Sequence, residues 1–553
     1  MIHRLQHIAD LSVLLRQAGV ARIIISPGSR NAPLTAAFFE EYGNHCRSIV
    51  DERSAAYVAL GMARNLGKPV VIVSTSGTAV LNYSPAIAES YYQRIPLVVI
   101  TADRPQKWID EQDNQTIRQK EVYRNFIVNS LSLPENFETV TELKNTYAEI
   151  SSILKLAGDL KGPVHINVPL DEPLYETLPP VSLTGFSEET YTNSETEIPD
   201  ELMKQWRDAQ KILIIHGQDV PDAKLQQTAD GLLSDPRIVL IAENISNLES
   251  DNIIDRPELM LWRTNTEMLE VPDLLIYSGG QIVSKKLKTL LRNWKIQNTW
   301  RIGIDLFEMD TFSQNNRFAK ITAVKVYEAL GETRNHEEVR DFKNNWREAY
   351  ANALKSSDKE IGNFSFSDLT VLQTVFRQLP EDAIIELGNS SVIRLAQLLP
   401  APKNHNWNSN RGVSGIDGCL STAVGTALST DQPVAVFLGD LSFIYDSNAL
   451  WNRQLPANLH IVVLNNDGGG LFGLIPGPEK HPAFRDFFVA HHPVKINKLA
   501  EAFNLEYFYA RDQQQVQNQL SEFFKKGERP KLMEIKTSQS ENKTAFYRLI
   551  NKK

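Results

Sequence analysis

The stretch Val434–Phe472, VAVFLGDLSFIYDSNALWNRQLPANLHIVVLNNDGGGLF, decides the fold. Two apolar, β-branched runs, Val434–Leu438 and His460–Leu464, each stop abruptly in polar residues, Gly439-Asp440 and Asn465-Asn466-Asp467. Between them, the periodicity of Ser447–Leu455 predicts a helix. Strand, helix and strand in that order make a parallel pair with polar residues at both carboxyl ends. In an open α/β sheet those ends are where ligands sit. Asp440 and Asn466 are 466 − 440 = 26 residues apart and can face each other across the crevice as oxygen ligands for a hard divalent cation. Asp467 is the alternative to Asn466. Gly439, Gly468, Gly469 and Gly470 let the backbone approach a diphosphate closely.

The same alternation continues on the N-terminal side. A strand at Ala383–Leu387 ends in Gly388-Asn389-Ser390, with Arg394 four residues on. Asn410–Gly418, NRGVSGIDG, is too rich in glycine for a regular element. Ser421–Leu428 is a helix of small residues, and Lys531–Ile535 closes the sheet. In the first third, Ile23–Ile25 runs into SPGSRNAP at 26–33, placing Arg30 at the mouth of a strand-to-helix turn before a helix through Thr35–Glu41. Ser48–Val50 reads as a strand followed by Asp51-Glu52-Arg53 and the helix Ser54–Asn65. Val70–Ser74 is a strand, Ala79–Gln93 a helix, and Leu97–Thr101 a strand leading to Arg104 and the polar pair Asn114-Gln115. Val164–Val168 is one more strand.

A middle set of strands, Ile212–Ile215, Ile238–Ala242, Leu274–Tyr277 and Ile302–Ile304 (ending in Asp305), surrounds a helical segment that carries Lys285 and Lys286. Val181–Pro199, rich in Ser, Thr, Glu and Pro, reads as a linker, and the charged helical stretch Glu337–Gly362 as a second boundary. The expected architecture is α/β, three tandem doubly wound parallel sheets in domains 1–180, 200–340 and 363–553. Taken singly, the polar residues fit ordinary structural roles: a lone arginine is usually a surface residue, Glu52 would complement a helix dipole, and a lysine pair is usually a solvated face.

Bulk properties narrow the class. The 553 residues exceed a single core, and 42% hydrophobic with 23% charged residues describe a globular protein. No long uncharged apolar run predicts a membrane span, and the amphipathic start MIHRLQHIADLSVLL lacks the core of a signal peptide. Cys46 and Cys419 are the only cysteines, which fits a reducing compartment and a cytoplasmic location. A net charge of −9 gives nucleic-acid binding no support.

Gly439-Asp440 followed by Asn465-Asn466 resembles the fingerprint of thiamine-diphosphate-dependent enzymes, and a strand-ending Glu52 in another α/β unit strengthens the likeness. SPGSRNAPLT at 26–35, DERSAAYVALGMAR at 51–64, TSGTAVLNYSPAIAE at 75–89, TADRP at 101–105 and DNQTIRQ at 113–119 fit one branch. GNSSVIR at 388–394, NRGVSGIDG at 410–418, GDLSFIYDSNAL at 439–450 and NNDGGGLF at 465–472 fit it too. That branch is the menaquinone-pathway 2-succinyl-5-enolpyruvyl-6-hydroxy-3-cyclohexene-1-carboxylate (SEPHCHC) synthases. The resemblance spans nearly the whole chain, weakly in the middle. Leu441 stands where many thiamine enzymes have Gly, which this branch tolerates, and Lys285-Lys286 stands where Lys-Arg is frequent.

The resemblance implies thiamine diphosphate held between the first domain of one subunit and the third of another, hence at least a homodimer, with a homotetramer the alternative. Asp440, Asn466 and the Gly468 carbonyl would hold Mg²⁺, or Mn²⁺ in its place; the family spacing favours Asn466 over Asp467. Ser390, Leu441 and Ser442 would contact the cofactor and Ile416 would wedge it into its bent shape. Glu52 would share a proton with the aminopyrimidine ring. The substrates would be 2-oxoglutarate and isochorismate: the first loses CO₂, and the remaining carbanion equivalent adds to the second in a conjugate (1,4) addition. Both are dicarboxylates and call for fixed cations. Arg30, Arg104, Arg394 and Arg411 would supply them with Lys285 and Lys286, while Asn114 and Gln115 add polar contacts and Leu471, Phe472 and Ile475 an apolar wall. The rival readings are another thiamine-dependent 2-oxoacid decarboxylase, an acetolactate-synthase-like enzyme, and a catalytically silent diphosphate-binding regulator.

Overall fold

A computed structural model of the chain describes residues 2–183, 197–304, 306–332, 341–355, 357–475 and 477–551. The first sheet contains β1 (Arg22–Ile25), β2 (Cys46–Ser48), β3 (Val70–Ser74), β4 (Leu97–Asp103), β5 (Asn129–Ser132) and β6 (Val164–Pro169), in the order β2-β1-β3-β4-β6-β5. The second contains β7 (Ile212–His216), β8 (Ile238–Ala242), β9 (Leu274–Ser278), β10 (Asn298–Ile302) and β11 (Arg317–Ala319), in the order β11-β10-β9-β7-β8. The third contains β12 (Ile384–Leu387), β13 (Asn406–Asn408), β14 (Val434–Gly439), β15 (Leu459–Asn465), β16 (Glu506–Ala510) and β17 (Lys531–Lys536), in the order β13-β12-β14-β15-β17-β16.

The paired strands run parallel throughout, and the first and third sheets share one topology strand for strand. Their central strands are mostly apolar and almost wholly buried, as in Val70–Ser74 and Val434–Gly439, because helices cover both faces and no side of the pleat meets water. In each sheet the winding reverses between the first and third strands, and this switch point is where the C-terminal loops separate and leave a crevice. In the third sheet Gly439 lies opposite Leu464 and Asn465 opposite Lys536, so Asp440 and Asn466 emerge over one rim.

The chain falls into two compact units. One comprises Met1–Thr192, Asn410–Asp431 and Tyr445–Pro456; the other comprises Asn193–Ser409, Gln432–Ile444 and Ala457–Lys553. Within the first unit, the helix Glu52–Leu66 lies against the small-residue helix Cys419–Ala427. A Cβ on Gly61 would sit 2.0 Å from the Thr422 carbonyl oxygen, and one on Gly425 2.0 Å from that of Val58. The backbones touch where side chains would otherwise separate them, and Gly418 leaves room for the Tyr57 ring in the same way.

Several elements depart from the sequence expectation. The helix predicted at Ser447–Leu455 is replaced by a helix starting directly on the strand end, Asp440–Tyr445, and a short 3₁₀ turn at Ser447–Leu450. The helix stops there because the Asp446 carboxylate turns to accept hydrogen bonds from Ser421 N and Oγ at 2.6 and 2.7 Å. Ala79–Gln93 is two helices, Thr78–Asn82 and Ser84–Gln93, since Pro85 fits only a first turn. The strand expected at Ser48–Val50 is Cys46–Ser48: it pairs with β1 alone, and β1 ends at Ile25, opposite Ser48. The strand expected at Ile302–Ile304 is Asn298–Ile302, its pattern obscured by Arg301. Asp305, residues 184–196 of the proposed linker and residues 337–340 and 356 of the second boundary lie outside the described residues.

Candidate active site

In the first unit, Glu52 opens the helix Glu52–Leu66. Asp51 caps that helix, accepting from Ser54 N at 2.9 Å and from Asn448 Nδ2 at 2.5 Å. Arg53 donates to the Tyr445 carbonyl at 2.9 Å and lies 3.8 Å from Asp446. Both neighbours of Glu52 are thus tied down, and its own carboxyl remains half-buried. Burial raises its pKa, opposed by a backbone N–H and assisted by the Asp51 charge. The charge of Glu52 is felt at the buried Tyr83 hydroxyl, which donates to Ser26 Oγ at 3.2 Å. Glu52 therefore stands on the rim that carries the SPGSR turn. Beside that turn, Gly28 faces Thr75 so closely that a Cβ would lie 2.3 Å from the Thr75 side chain. Thr75 Oγ1 and Ser76 Oγ are buried there without a hydrogen-bond partner among the described residues. Unpaired buried hydroxyls are costly, and a small polar ligand at the switch point would satisfy them.

Arg30 and Arg104 come together on the same rim. Arg30 is 3% exposed, donates to the Leu170 carbonyl at 2.9 Å and reaches Glu172 at 3.3 Å. Arg104 donates to the Asn114 carbonyl at 3.0 and 3.2 Å, pairs with Asp113 at 3.1 Å and lies 3.8 Å from Glu172. Burial, then the Arg104 charge, lowers the pKa of Arg30, while Glu172 raises it. A buried arginine beside a second arginine, faced by the solvent-exposed Glu172 and by Asp113, can take a ligand carboxylate in exchange for one of these partners. Asn114 contributes its carbonyl to this cluster. Gln115 adopts a left-handed conformation, φ 54°, packed over Gly77.

Arg411 and Ile416 lie on the irregular segment Asn410–Gly418, held by a residue the sequence did not single out. Glu89, fully buried on the helix Ser84–Gln93, accepts from Gly412 N with one oxygen at 2.5 Å and from Val413 N with the other at 2.7 Å. Burial raises its pKa; the two N–H groups, Gln93 and the Arg411 charge oppose that. Removing the acceptor takes the carboxylate from the buried Gly412 N–H, at about 1–3 kcal/mol, and from the partly buried Val413 N–H at a smaller cost. Glu89→Ala is therefore expected to lower stability by roughly 2–4 kcal/mol, and Glu89→Gln by less, since its amide oxygen keeps one bond; urea denaturation checks both.

In the second unit, Asp440 and Asn466 lie on neighbouring strand ends. Asp440 is 1% exposed; its oxygens accept from Leu441 N at 2.7 Å and Gly468 N at 2.8 Å, with His492 Nε2 3.3 Å away. Burial raises its pKa against those donors. The Asn466 Nδ2 donates to Asp368 at 3.2 Å, and its Oδ1 is buried with no partner among the described residues. Asp467, at φ 66°, sends its carboxylate to Lys536 Nζ. Gly468 O accepts from Gly470 N at 2.9 Å and keeps a second lone pair. Among the described residues no group of three His, Cys, Asp or Glu is placed to hold a metal. One carboxylate with two neutral oxygens, one of them orphaned, nevertheless suits an ion such as Mg²⁺ that retains water and phosphate ligands.

Of the four glycines expected to admit a diphosphate, only Gly439 faces open space. Gly468 and Gly469 are packed under Phe488 and Val489, and Gly470 under the Asn466 amide. Ser442 is buried beside Leu441 in the first turn after Asp440. Ser390 has φ 73° and accepts from Arg394 through its carbonyl at 2.5 Å.

Lys285 and Lys286 begin the helix Lys285–Asn293, an unfavourable end for cations. Two buried or partly buried glutamates offset this. Glu243 accepts from Val283 N at 2.5 Å and Ser284 N at 2.7 Å, and burial pushes its pKa up to about 7. Glu258 accepts from Ser284 Oγ at 2.6 Å, Lys286 N at 3.0 Å and Trp262 Nε1 at 3.0 Å. Lys286 Nζ lies 3.7 Å over the Trp262 ring, so this lysine is more than a solvated charge, whereas Lys285 is exposed. The Glu258 charge also reaches Arg394. Phe472 stacks edge-on to Phe488 at 5.6 Å, Leu471 is half-buried, and Ile475 is 41% exposed.

The profile described as "Thiamine pyrophosphate enzyme, N-terminal TPP binding domain" matches residues 8–122, and "Thiamine pyrophosphate enzyme, C-terminal TPP binding domain" matches residues 386–535. A 2-succinyl-5-enolpyruvyl-6-hydroxy-3-cyclohexene-1-carboxylate synthase of Desulfotalea psychrophila is 43% identical over 509 residues, 91% of this chain and 93% of the relative. The chain belongs to this synthase family. Synthases of the same name from Christiangramia forsetii and Cytophaga hutchinsonii are 37% and 35% identical, covering 96% and 98% of this chain and the same shares of theirs. The protein is thus a thiamine-diphosphate-dependent enzyme of the SEPHCHC synthase family, with Glu52, Arg30 and Arg104 inside the first matched region and Asp440, Asn466 and Gly468 inside the second. No helix among the described residues is long and apolar enough to cross a membrane.

Proposed function

We propose that the enzyme decarboxylates 2-oxoglutarate and adds the remaining four-carbon unit to isochorismate by conjugate (1,4) addition, releasing CO₂ and forming SEPHCHC in menaquinone biosynthesis. The observation that carries this reading is the Arg30–Arg104 pair, two guanidinium groups on one rim with Glu172 as their shared carboxylate. A monoanionic 2-oxoacid does not call for such a pair, and two dicarboxylates do. The family relationship supports the same substrates.

Thiamine diphosphate, when bound, supplies the electron sink that decarboxylation of a 2-oxoacid requires. Glu52 holds and returns a proton at the aminopyrimidine nitrogen; burial shifts its pKa upward, the direction that favours a carboxyl holding its proton. Asp440, Asn466 and the Gly468 carbonyl would hold Mg²⁺, Ser390, Leu441 and Ser442 would contact the diphosphate of the cofactor, and Ile416 would pack against its rings. Arg30, Arg104, Arg394, Arg411 and the Lys285-Lys286 pair receive substrate carboxylates, and Asn114 and Gln115 orient isochorismate. Leu471, Phe472 and Ile475 exclude water. The cofactor is shared between two copies of the chain, in a homodimer or larger assembly.

Incubation with 2-oxoglutarate, thiamine diphosphate and Mg²⁺ is expected to release CO₂ at a rate that rises sharply when isochorismate is added. Equal rates with pyruvate in place of 2-oxoglutarate, or no CO₂ at all, would rule the assignment out.

A further inference from the structure

An asparagine side chain can serve a cation with its oxygen or repel it with its NH₂, and the two ends have nearly the same shape. Something must decide which end of Asn466 faces the site. Resting on the metal-site reading above, we infer that Asp368 is the positioning residue that orients the Asn466 amide, oxygen toward the metal.

Asp368 is the first residue of the helix Asp368–Phe376, 98 positions before Asn466, and is 2% exposed. Its Oδ2 takes the Asn466 Nδ2 at 3.2 Å, and its Oδ1 takes the Thr537 hydroxyl at 2.6 Å. Both Asp368 oxygens are acceptors in these contacts, one for the Thr537 hydroxyl and one for the amide, so the amide nitrogen turns to the carboxyl group and the amide oxygen turns away. That oxygen is the one left buried and unpartnered among the described residues. The Gly470 backbone packs close against the amide, where a Cβ would lie 2.9 Å from its nitrogen, and Gln539 Nε2 donates to the Asn466 backbone carbonyl at 2.9 Å, which fixes the strand end that carries the side chain. The backbone of Asp368 is fixed as well, its N–H donating to Asn542 Oδ1 at 2.8 Å. Asparagine at 368 could donate as readily as accept, and the Asn466 amide would then turn over without losing its hydrogen bond, presenting NH₂ to the cation.

The test reads thiamine diphosphate binding by tryptophan fluorescence as Mg²⁺ is titrated, with no substrate present. Asp368→Asn is expected to raise the Mg²⁺ concentration at half-saturation about 10–100-fold. Pairing it with Asn466→Asp, which puts the donor on 368 and the acceptor on 466, is expected to bring half-saturation back toward wild type. A purely structural role for Asp368 would lower the melting temperature and leave the half-saturation of the folded protein where it was; that result, or no recovery in the exchanged pair, overturns the inference. If Asp368→Asn does not fold, Thr537→Val, which frees one Asp368 oxygen, is expected to give a smaller rise, and an unchanged value overturns the inference equally. Asp440→Asn in the same titration separates the two readings: if it too binds Mg²⁺ as wild type does, the metal site itself is misplaced, whereas a loss there with none in Asp368→Asn refutes only the orienting role.

Discussion

Glu52→Gln is expected to lower kcat by roughly 10²–10⁴-fold, the usual contribution of a positioned proton donor and acceptor, with the fold intact. Glutamine matches glutamate in shape and can still hydrogen-bond a ring nitrogen, but it cannot hand over a proton and take it back. The helix itself does not depend on the carboxylate, because its first turn is capped by Asp51 through Ser54 N. The adjacent Arg53 is held by Tyr445 and Asp446. Circular dichroism and thermal melting are therefore expected to match wild type within error, and the dissociation constant for thiamine diphosphate to change only a few-fold. Steady-state CO₂ release checks the rate; a variant retaining a third of wild-type kcat would remove Glu52 from the proposed chemistry.

Asp440→Asn is expected to abolish Mg²⁺-dependent cofactor binding at any ordinary metal concentration. Asp440 is the only carboxylate in the proposed ligand set, so the substitution removes the whole formal charge facing the cation. The loss should exceed the ~10–100-fold typical of an outer partner. Locally, the carboxylate accepts from both Leu441 N and Gly468 N. An asparagine oxygen can serve one of these and must turn its NH₂ toward the other, at about 1–3 kcal/mol. Relief from burying a charge offsets part of this, so the melting temperature without ligand should move little. Wild type should gain about 2.7 kcal/mol of stability from a ligand at a hundred times its dissociation constant, and the variant none. Thermal melting with and without Mg²⁺ and thiamine diphosphate measures both; an undiminished ligand-induced shift would exclude Asp440 as a metal ligand.

The buried strands were legible because parallel central strands carry their pattern in composition: Val70–Ser74 and Ile238–Ala242 match residue for residue. Short edge strands such as Asn406–Asn408 and Asn129–Ser132 were not, since one-sided pairing permits polar residues that read as loop. Polar strand ends pointed to Asp440 and Asn466, because the carboxyl ends of strands in an open α/β sheet are where ligands sit. Asp368, Glu89 and Glu258 stayed invisible for a common reason. Each works through a partner distant in the sequence, Glu89 on Gly412 across 323 residues, and nothing local distinguishes such a carboxylate from a surface one. The helix after β14 was misplaced because Asp440 starts it without the usual gap, so its periodic signal overlapped the strand's end.

The glycine-notched contact between the helices Glu52–Leu66 and Cys419–Ala427 has a consequence for how the protein is made. The unit that carries Glu52 is closed by Asn410–Asp431 and Tyr445–Pro456, segments that leave the ribosome long after the first sheet. At about 5–20 residues per second, synthesis from the last strand of that sheet to the closing segments takes roughly 14–60 s. During that interval the helix face at Val58 and Gly61 has no covering helix, while the intervening parallel strands are emerging. Such long-range closure is slow and exposes apolar surface on the way. A chaperone that shields nascent chains would find its substrate in this window, before Glu52 has its neighbours.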